Sequence, residues 1–121
     1  MSDAFRDAVD YQFVVGGQWV AHPGNIIDYT VDVAKPEDPI MQGLPAEWLH
    51  ATDELYGRMR GSADHMHVLA SSFSKPEFGG TDMHEPMVWY APFNKGRVVT
   101  TSMGHLGTAD TTFDALHCVG F

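Results

Sequence analysis

Apolar and polar residues alternate strictly through residues 26–33, IIDYTVDV. Successive side chains of a β-strand point to opposite faces of the sheet, so a period of two is typical of a half-buried strand. One set of side chains is Ile27, Tyr29, Val31 and Val33, and the other is Asp28, Thr30 and Asp32. The pattern therefore predicts a strand with one buried face and one exposed face.

Further apolar runs lie in the second half of the chain. HVLASSF at 67–73, PMVWYAPF at 86–93 and RVVTTSM at 97–103 have the length and the β-branched or aromatic content of strands. The tripeptide Asn-Lys-Gly at 94–96 separates the last two runs and predicts a hairpin. A shorter strand is expected around residues 55–56.

Helical periodicity is confined to the two ends of the chain. Residues 3–15 place apolar side chains at i, i+4 and i+8, namely Phe5, Val9 and Phe13. Gly16 and Gly17 would end this helix. Thr111 is suited to cap a last helix over residues 112–121. At least four strands and two terminal helices predict one α/β domain over residues 1–121.

Composition and charge describe a small acidic domain. The chain has 121 residues, 44% of them hydrophobic, with 16 acidic against 7 basic residues and a net charge of −9. Nucleic acids and anionic membranes bind basic surfaces, so we expect neither as a partner. No apolar run reaches the roughly 18 residues of a membrane-spanning helix.

Seven histidines raise the question of a metal site. They are His22, His50, His65, His67, His84, His105 and His117. His65 and His67 are two residues apart, which on a strand places both on one face. No HExxH or CxxC motif accompanies them, so we interpret this pair as solvent or edge-strand histidines. Likewise Cys118, the only cysteine, is interpreted as a small buried residue.

His105 has the most suggestive context of the seven. It directly follows the strand-like run RVVTTSM and lies close to Gly104 and Gly107, which permit tight turns. In open α/β sheets, ligands bind outside the carboxyl ends of the strands. His105 is therefore the candidate catalytic residue, against the alternative of a loop histidine with no role. His22, between a Trp-containing segment and a Pro-Gly turn, has a similar context with weaker support.

Polar residues in two other places are candidates for the same site. The stretch TDELY contains Asp53, Glu54 and Tyr56, and paired carboxylates can perform acid–base chemistry, although Asp53 can equally cap a turn. We take Glu54 as a weaker catalytic candidate and Tyr56 as a ligand-binding one. Two adjacent residues, His84 and Glu85, precede a strand and are added as ligand-binding candidates.

An aromatic wall is the other feature of a small-molecule site. Trp19 and Trp89 are candidates for such a wall. Trp89 lies inside a predicted strand, which favours a place in the core. Trp19 is therefore the candidate that we retain.

Several stretches together resemble the ThuA-like, or trehalose utilisation, family. In chain order they are GGQWVAHPGN, DPIMQGLP, TDELY, VLASS, HEPMVWYAPFNKGRVVTTSMGHLG and FDALHCVGF. Their order and spacing match through nearly the whole chain, and only the turn at 94–96 departs, with Asn-Lys-Gly where the family has Gly-Lys-Gly. The resemblance implies the three-layer, flavodoxin-like α/β sandwich of class I glutamine amidotransferases. It also implies an incomplete one, without its front βα units.

The resemblance implies a role in the utilisation of trehalose or a related disaccharide or keto-sugar. We expect a small-molecule sugar as the ligand, with His105 acting at a strand end. The alternative is a non-catalytic sugar-binding or interaction module on an inactive amidotransferase-like scaffold. An active glutamine amidotransferase is not expected, because Cys118 lies in a helical pattern and not on a strand-to-helix elbow.

Cofactors, partners and location follow from the same interpretation. No cofactor is predicted, and a divalent metal such as zinc, bound by His22 and His105, is the open alternative. The chain is expected to form a homo-oligomer or to depend on the missing part of the domain. The first residues, MSDAFRDAVDYQF, lack the basic start and apolar core of a signal peptide, which favours a cytoplasmic location. A signal peptide in the missing front region would reverse this.

Overall fold

A five-stranded antiparallel sheet and one short helix make up most of the described structure. The structure is a computed structural model that describes residues 7–21, 26–61 and 63–104. In chain order the elements are α1 (Val9–Val15), β1 (Ile26–Val33), β2 (Glu47–Glu54), β3 (His67–Ser74), β4 (Met83–Phe93) and β5 (Gly96–Thr101). Short 3-10 turns at Ala63–His65 and Pro76–Phe78 precede and follow β3.

The sheet has the strand order β2-β1-β3-β4-β5. Every pairing between these strands is antiparallel. The antiparallel pairing that the sequence predicts for the last hairpin therefore extends through the whole described sheet. The argument that ligands bind at strand ends, which supported His105, applies to parallel strands. The described strands contain no parallel pair, so this argument does not apply to them.

The predicted strands at 26–33 and 67–73 and the hairpin are confirmed. β1 alternates as its sequence does, with Tyr29 and Val31 buried and Asp28 and Thr30 exposed. The hairpin closes through the Phe93–Gly96 pair. Two residues form its turn, and Asn94 has a φ of 52° there, a left-handed conformation that asparagine tolerates better than most residues.

Four parts of the sequence-based prediction differ from the described structure or lie outside it. The strand expected at residues 55–56 ends at Glu54, and the buried Leu55 and Tyr56 follow it. His65 belongs to a 3-10 turn, so it does not share a strand face with His67. The first helix begins at Val9 within the described residues. The helix predicted at 112–121 lies outside them.

The core lies between the inner side of the sheet and the segments that cross it. Its buried side chains come from β1, β3, β4 and the connections that follow β1, β2 and β5, and are Tyr29, Val31, Met41, Leu55, Leu69, Ala70, Met87 and Met103. Burial of a valine, leucine or methionine side chain contributes on the order of 1.5–3 kcal/mol. No helix of the described residues is both long and apolar enough to span a bilayer.

α1 is fixed to the sheet by the buried side chain of Trp89. The Trp89 indole N–H donates to the Val15 carbonyl over 2.7 Å at the end of the helix. Gly16 ends α1 with a φ of +87°, and a Cβ at this position would lie 3.1 Å from atoms of Trp89 and Ala91. Glycine is therefore required here both by the backbone conformation and by the close approach. Trp89 is a core residue, as its sequence context predicts.

Candidate functional site

Three of the sequence-predicted candidates, Trp19, Glu54 and Tyr56, lie together at the end of β2. The Tyr56 hydroxyl donates to the Glu54 carboxylate over 2.5 Å. The Trp19 and Tyr56 rings meet with their centroids 4.9 Å apart. Glu54 is only partly buried, whereas Tyr56 is buried. The carboxylate, the phenol and the indole thus form one cluster. We call residues 53–57 the 53–57 segment, and Trp19 packs against it.

Backbone bonds tie two distant parts of the chain to this segment. The Gly104 N–H donates to the Asp53 carboxylate over 2.8 Å. At the other end, the Gly57 N–H donates to the Ala21 carbonyl over 3.0 Å, and the two residues form an isolated antiparallel bridge. Gly104 and Ala21 immediately precede the candidates His105 and His22, which themselves lie outside the described residues. The two histidines thus remain predictions.

Glu85 lies against the end of the same segment. Its side chain is buried and accepts the Thr81 hydroxyl over 2.7 Å and the Arg58 N–H over 3.1 Å. A Cβ on Gly57 would lie 2.8 Å from Glu85 Oε1. Glu85 therefore supports the backbone at the point where the segment leaves the site.

His84 does not join the other candidates. It precedes Glu85 on β4, and neighbouring residues of a strand face opposite sides of the sheet. Its side chain is exposed, hydrogen-bonds Ser71 Oγ over 3.3 Å and meets the edge of Phe73. The structure thus places His84 on the face opposite Glu85.

Sequence reasoning missed a buried histidine–carboxylate pair in the same place. His50 Nε2 donates to Asp53 Oδ2 over 2.8 Å, and the two residues are 7% and 2% exposed. The sequence analysis assigned His50 no role and left Asp53 open between acid–base chemistry and capping a turn. Two positions three apart on a regular strand face opposite sides, so their spacing gives no signal that they meet.

The Asp53 carboxylate is held as an anion by its donors. Burial favours the neutral acid and would raise its pKa. Hydrogen bonds from His50 and from the backbone N–H groups of Gly104 and Glu54 outweigh this effect, so the pKa of Asp53 lies below its ordinary value. With three donors on two oxygens, this carboxylate is suited to fixing its neighbours and not to accepting a proton from a ligand.

Tyr29 adds a buried hydroxyl to the cluster. Its ring lies 5.1 Å from the His50 ring between centroids. Burial, followed by the negative charge of Asp53, raises the pKa of Tyr29 above its ordinary value, so the phenol stays protonated at neutral pH.

Within residues 7–21, 26–61 and 63–104, no group of three His, Cys, Asp or Glu side chains is placed to hold a metal. The sequence-predicted ligands His22 and His105 lie outside these ranges. The zinc alternative thus remains a prediction.

Two cavities lie elsewhere on the sheet. A cleft of about 520 Å³ opens beside Lys35, Asp38, His67 and Tyr90. A smaller one of about 230 Å³ lies between β1 and β3, beside Leu49 and Phe73. Both are lined by residues other than the sequence-predicted candidates, and they are alternative locations for a ligand.

Comparisons with known proteins agree with the resemblance read from the sequence. The family described as ThuA, trehalose utilisation, matches residues 2–115. A crystal structure of a ThuA-like protein from Parabacteroides merdae ATCC 43184 is 34% identical, with a TM-score of 0.67. The match covers 77% of this chain and 32% of that one, so the chain spans about a third of the length of that relative. None of the curated proteins compared with the chain matches it.

The structural match also bears on fold class. An antiparallel sheet with one helix, superimposing on a ThuA-like protein at this TM-score, is consistent with part of a flavodoxin-like α/β fold. The expected fold class, an incomplete flavodoxin-like α/β sandwich, is thus confirmed. The described residues form an antiparallel part of it.

Proposed function

This chain belongs to the ThuA, or trehalose utilisation, family, and from that premise we propose that the 53–57 segment forms part of a carbohydrate-processing site. The substrate class is a disaccharide such as trehalose or a keto-sugar derived from one. Family membership supports the carbohydrate class, and the arrangement of side chains supports the location.

The observation that carries this proposal is the Glu54–Tyr56 pair beside Trp19. A phenol that donates to a carboxylate can, by exchanging partners, donate to a sugar oxygen while the carboxylate accepts from a sugar hydroxyl. An aromatic surface next to such polar groups suits the apolar face of a sugar ring. Trp19, which is partly exposed and packs against the buried Tyr56, provides that surface.

His105 is the proposed acid–base or ligand residue of this site. What supports it is the bond from the Gly104 N–H to Asp53, since Gly104 is the residue before His105. Glu54 is the proposed second group, with an acid–base role. His22 is proposed to contact the same ligand, because the preceding residue, Ala21, is bonded to Gly57.

A non-catalytic sugar-binding module is the second candidate. The observation that favours it is that both carboxylates of the segment already hold donors within the protein. Asp53 accepts His50 and two backbone N–H groups, and Glu54 accepts Tyr56. Glu54 can recognise a sugar hydroxyl by exchanging its bond to Tyr56 for one to the ligand, without a chemical step. In either case, we propose that a second copy of the chain or additional polypeptide completes the site. The reason is that the chain spans only about a third of the length of its relative.

Calorimetric titration with trehalose tests the location. We expect the wild-type chain to bind trehalose and Tyr56→Phe to bind it about fivefold more weakly, because one hydrogen bond of roughly 1 kcal/mol is lost. Tyr90→Phe is the matched control, since Tyr90 stacks on His67 at the larger cleft. Equal affinities in the two variants would contradict the location.

Product analysis separates the two candidate functions. In a protein that turns over sugar, His105→Ala should abolish turnover and leave the melting temperature nearly unchanged. Unchanged turnover would remove His105 from the mechanism. Binding without product under any redox or metal condition would favour the module, and absence of binding to trehalose and related sugars would remove both candidates.

A further inference from the structure

A β-bulge in β2 lies directly beside the proposed site. Ile27 pairs with Asp53 and Tyr29 pairs with His50, so the register shifts between these two pairs. One residue of β1, Asp28, therefore stands opposite two residues of β2, Ala51 and Thr52. Bulges of this kind bend the strand and redirect the side chains that follow, and they are frequent next to active sites.

The bulge accounts for a contact that a regular strand forbids. Without it, His50 and Asp53 would face opposite sides of the sheet, because they are three residues apart. With the extra residue, both side chains are buried and meet at 2.8 Å. The Thr52 hydroxyl donates to the Asp28 carboxylate over 2.8 Å on the exposed side and thereby joins the two strands at the bulge.

The redirected carboxylate accepts hydrogen bonds from three residues around the site. Asp53 Oδ2 accepts from His50 Nε2 and from the Gly104 N–H, and Oδ1 accepts from the Glu54 N–H. His50, Gly104 and the backbone of Glu54 are thus fixed to one buried group. Hydrogen bonds to an ionised acceptor are stronger and shorter than neutral ones, which suits a fixing role.

We propose that the bulge at Ala51 and Thr52 orients the Asp53 carboxylate toward His50 and Gly104. Asp53 is thereby the positioning residue of the carbohydrate site. It acts through Gly104 and Glu54 and does not touch the sugar. The inference rests on the proposed function for the identity of the ligand, while the positioning itself is a property of the chain and is measurable without a ligand.

Amide hydrogen exchange of the 121-residue chain measures the positioning. In Asp53→Asn, the Gly104 amide should exchange about tenfold faster or more, because its charged acceptor is gone. The Ser102 amide, two residues before Gly104, donates to the Met87 carbonyl and should exchange at an unchanged rate. Glu47→Gln, which neutralises an exposed carboxylate at the start of β2, should change neither amide.

Two outcomes of this exchange experiment would overturn the positioning role. One is unchanged exchange at Gly104 in Asp53→Asn. The other is an equal acceleration at Gly104 and Ser102, because a purely structural loss of stability would expose both amides together.

A milder variant tests the bulge itself and does not require Asp53→Asn to fold. Thr52→Val keeps the shape of an exposed side chain and removes the bond to Asp28, so Gly104 exchange should rise selectively, by less than in Asp53→Asn. Thr30→Val, on the exposed side of β1, is the matched control. Equal exchange at Gly104 in the two valine variants would contradict aiming by the bulge.

Trehalose titration of the same variants separates this inference from the proposed function. Weaker trehalose binding by Asp53→Asn, with binding by Glu47→Gln unchanged, supports both. If the wild-type chain binds no sugar, the proposed function fails, and the exchange rates at Gly104 still decide whether Asp53 is a positioning residue.

Discussion

Two neighbouring carboxylates of β2 have different surroundings and therefore different roles. Asp53 is buried and bound by three donors, one from a side chain and two from the backbone. Glu54 is partly exposed, and its bond to the Tyr56 hydroxyl is one that a ligand hydroxyl can replace. The environment, and not the residue type, thus assigns one carboxylate to the architecture and the other to the ligand.

The lowered pKa of Asp53 predicts a specific dependence of stability on pH. A carboxyl group whose pKa is lower in the folded state stabilises the fold above its unfolded pKa of about 3.9, and this contribution is lost as the pH falls through the folded pKa. Asp53→Asn should therefore be less stable than wild type at pH 7, and the difference should shrink below about pH 4. Urea denaturation of both proteins across this range measures it. A difference that is constant or grows on acidification would contradict the assignment.

Gly57 predicts a steric coupling with Glu85. In Gly57→Ala the new Cβ would lie 2.8 Å from Glu85 Oε1 and 3.0 Å from its Cδ, so a buried side chain must move, at a cost of about 1–3 kcal/mol. Combined with Glu85→Ala, the loss should be less than the sum of the single losses. Gly96→Ala, where the nearest contact is 3.8 Å away, should have little effect. Additive losses in the denaturation experiment would exclude the contact.

Sequence patterns identified part of this residue-scale picture. Glu54, Tyr56 and Trp19 were predicted as candidates from their chemistry and neighbours, and the structure brings them together. The His50–Asp53 pair was not predicted, because its contact depends on a bulge that leaves no periodic signal in the sequence.

At the scale of elements, the β4–β5 hairpin depends on the conformation of its turn. Asn94 has a φ of 52°, a region in which a β-branched side chain is strained by roughly 1–2 kcal/mol. Asn94→Val should therefore lower the free energy of unfolding by about that amount, whereas Asn94→Gly should stay within about 0.5 kcal/mol of wild type. Thermal or urea denaturation measures both. Equal stability of the two variants would show that the turn does not impose this conformation.

The indole of Trp89 makes the shorter of two hydrogen bonds that attach the end of α1 to the sheet. Trp89→Phe removes this donor to the Val15 carbonyl, leaves the Thr100 hydroxyl at 3.3 Å and opens a void in the core, with an expected loss of about 2–4 kcal/mol. Trp48→Phe, at a partly buried position of β2, is the control and should cost less. Amide exchange within α1 should rise selectively in Trp89→Phe, and an effect no larger than that of Trp48→Phe would contradict the anchoring role.

Strands with regular alternation were predictable, and an edge strand was not. β1 and the hairpin follow the periodicity of their sequences. Leu49 of β2 is 68% exposed and the strand contains the bulge, so apolar and polar residues do not alternate regularly along it. The nearest buried apolar pair, Leu55 and Tyr56, lies just beyond its end. The strand was therefore placed too late in the chain.

At the scale of the whole molecule, the described sheet is antiparallel while the resemblance implies a largely parallel fold. Strand direction is set by which segments pair, and this depends on contacts between distant residues that local patterns do not encode. The family itself was recognisable from combined motifs, and its match over residues 2–115 confirms it. The larger cleft beside His67 and Tyr90 had no sequence signal, because loop 35–39 and two strands form it only when folded.

Mapping of amide chemical shifts during a trehalose titration tests the central claim most directly, because the proposed site and the larger cleft are lined by different residues. We predict that the shifts concentrate at residues 53–58 and at Gly104, where the Glu54–Tyr56 pair and the Asp53 bond lie. Shifts concentrated at residues 35–39, His67 and Tyr90, or no shifts with trehalose or related sugars, would contradict the claim.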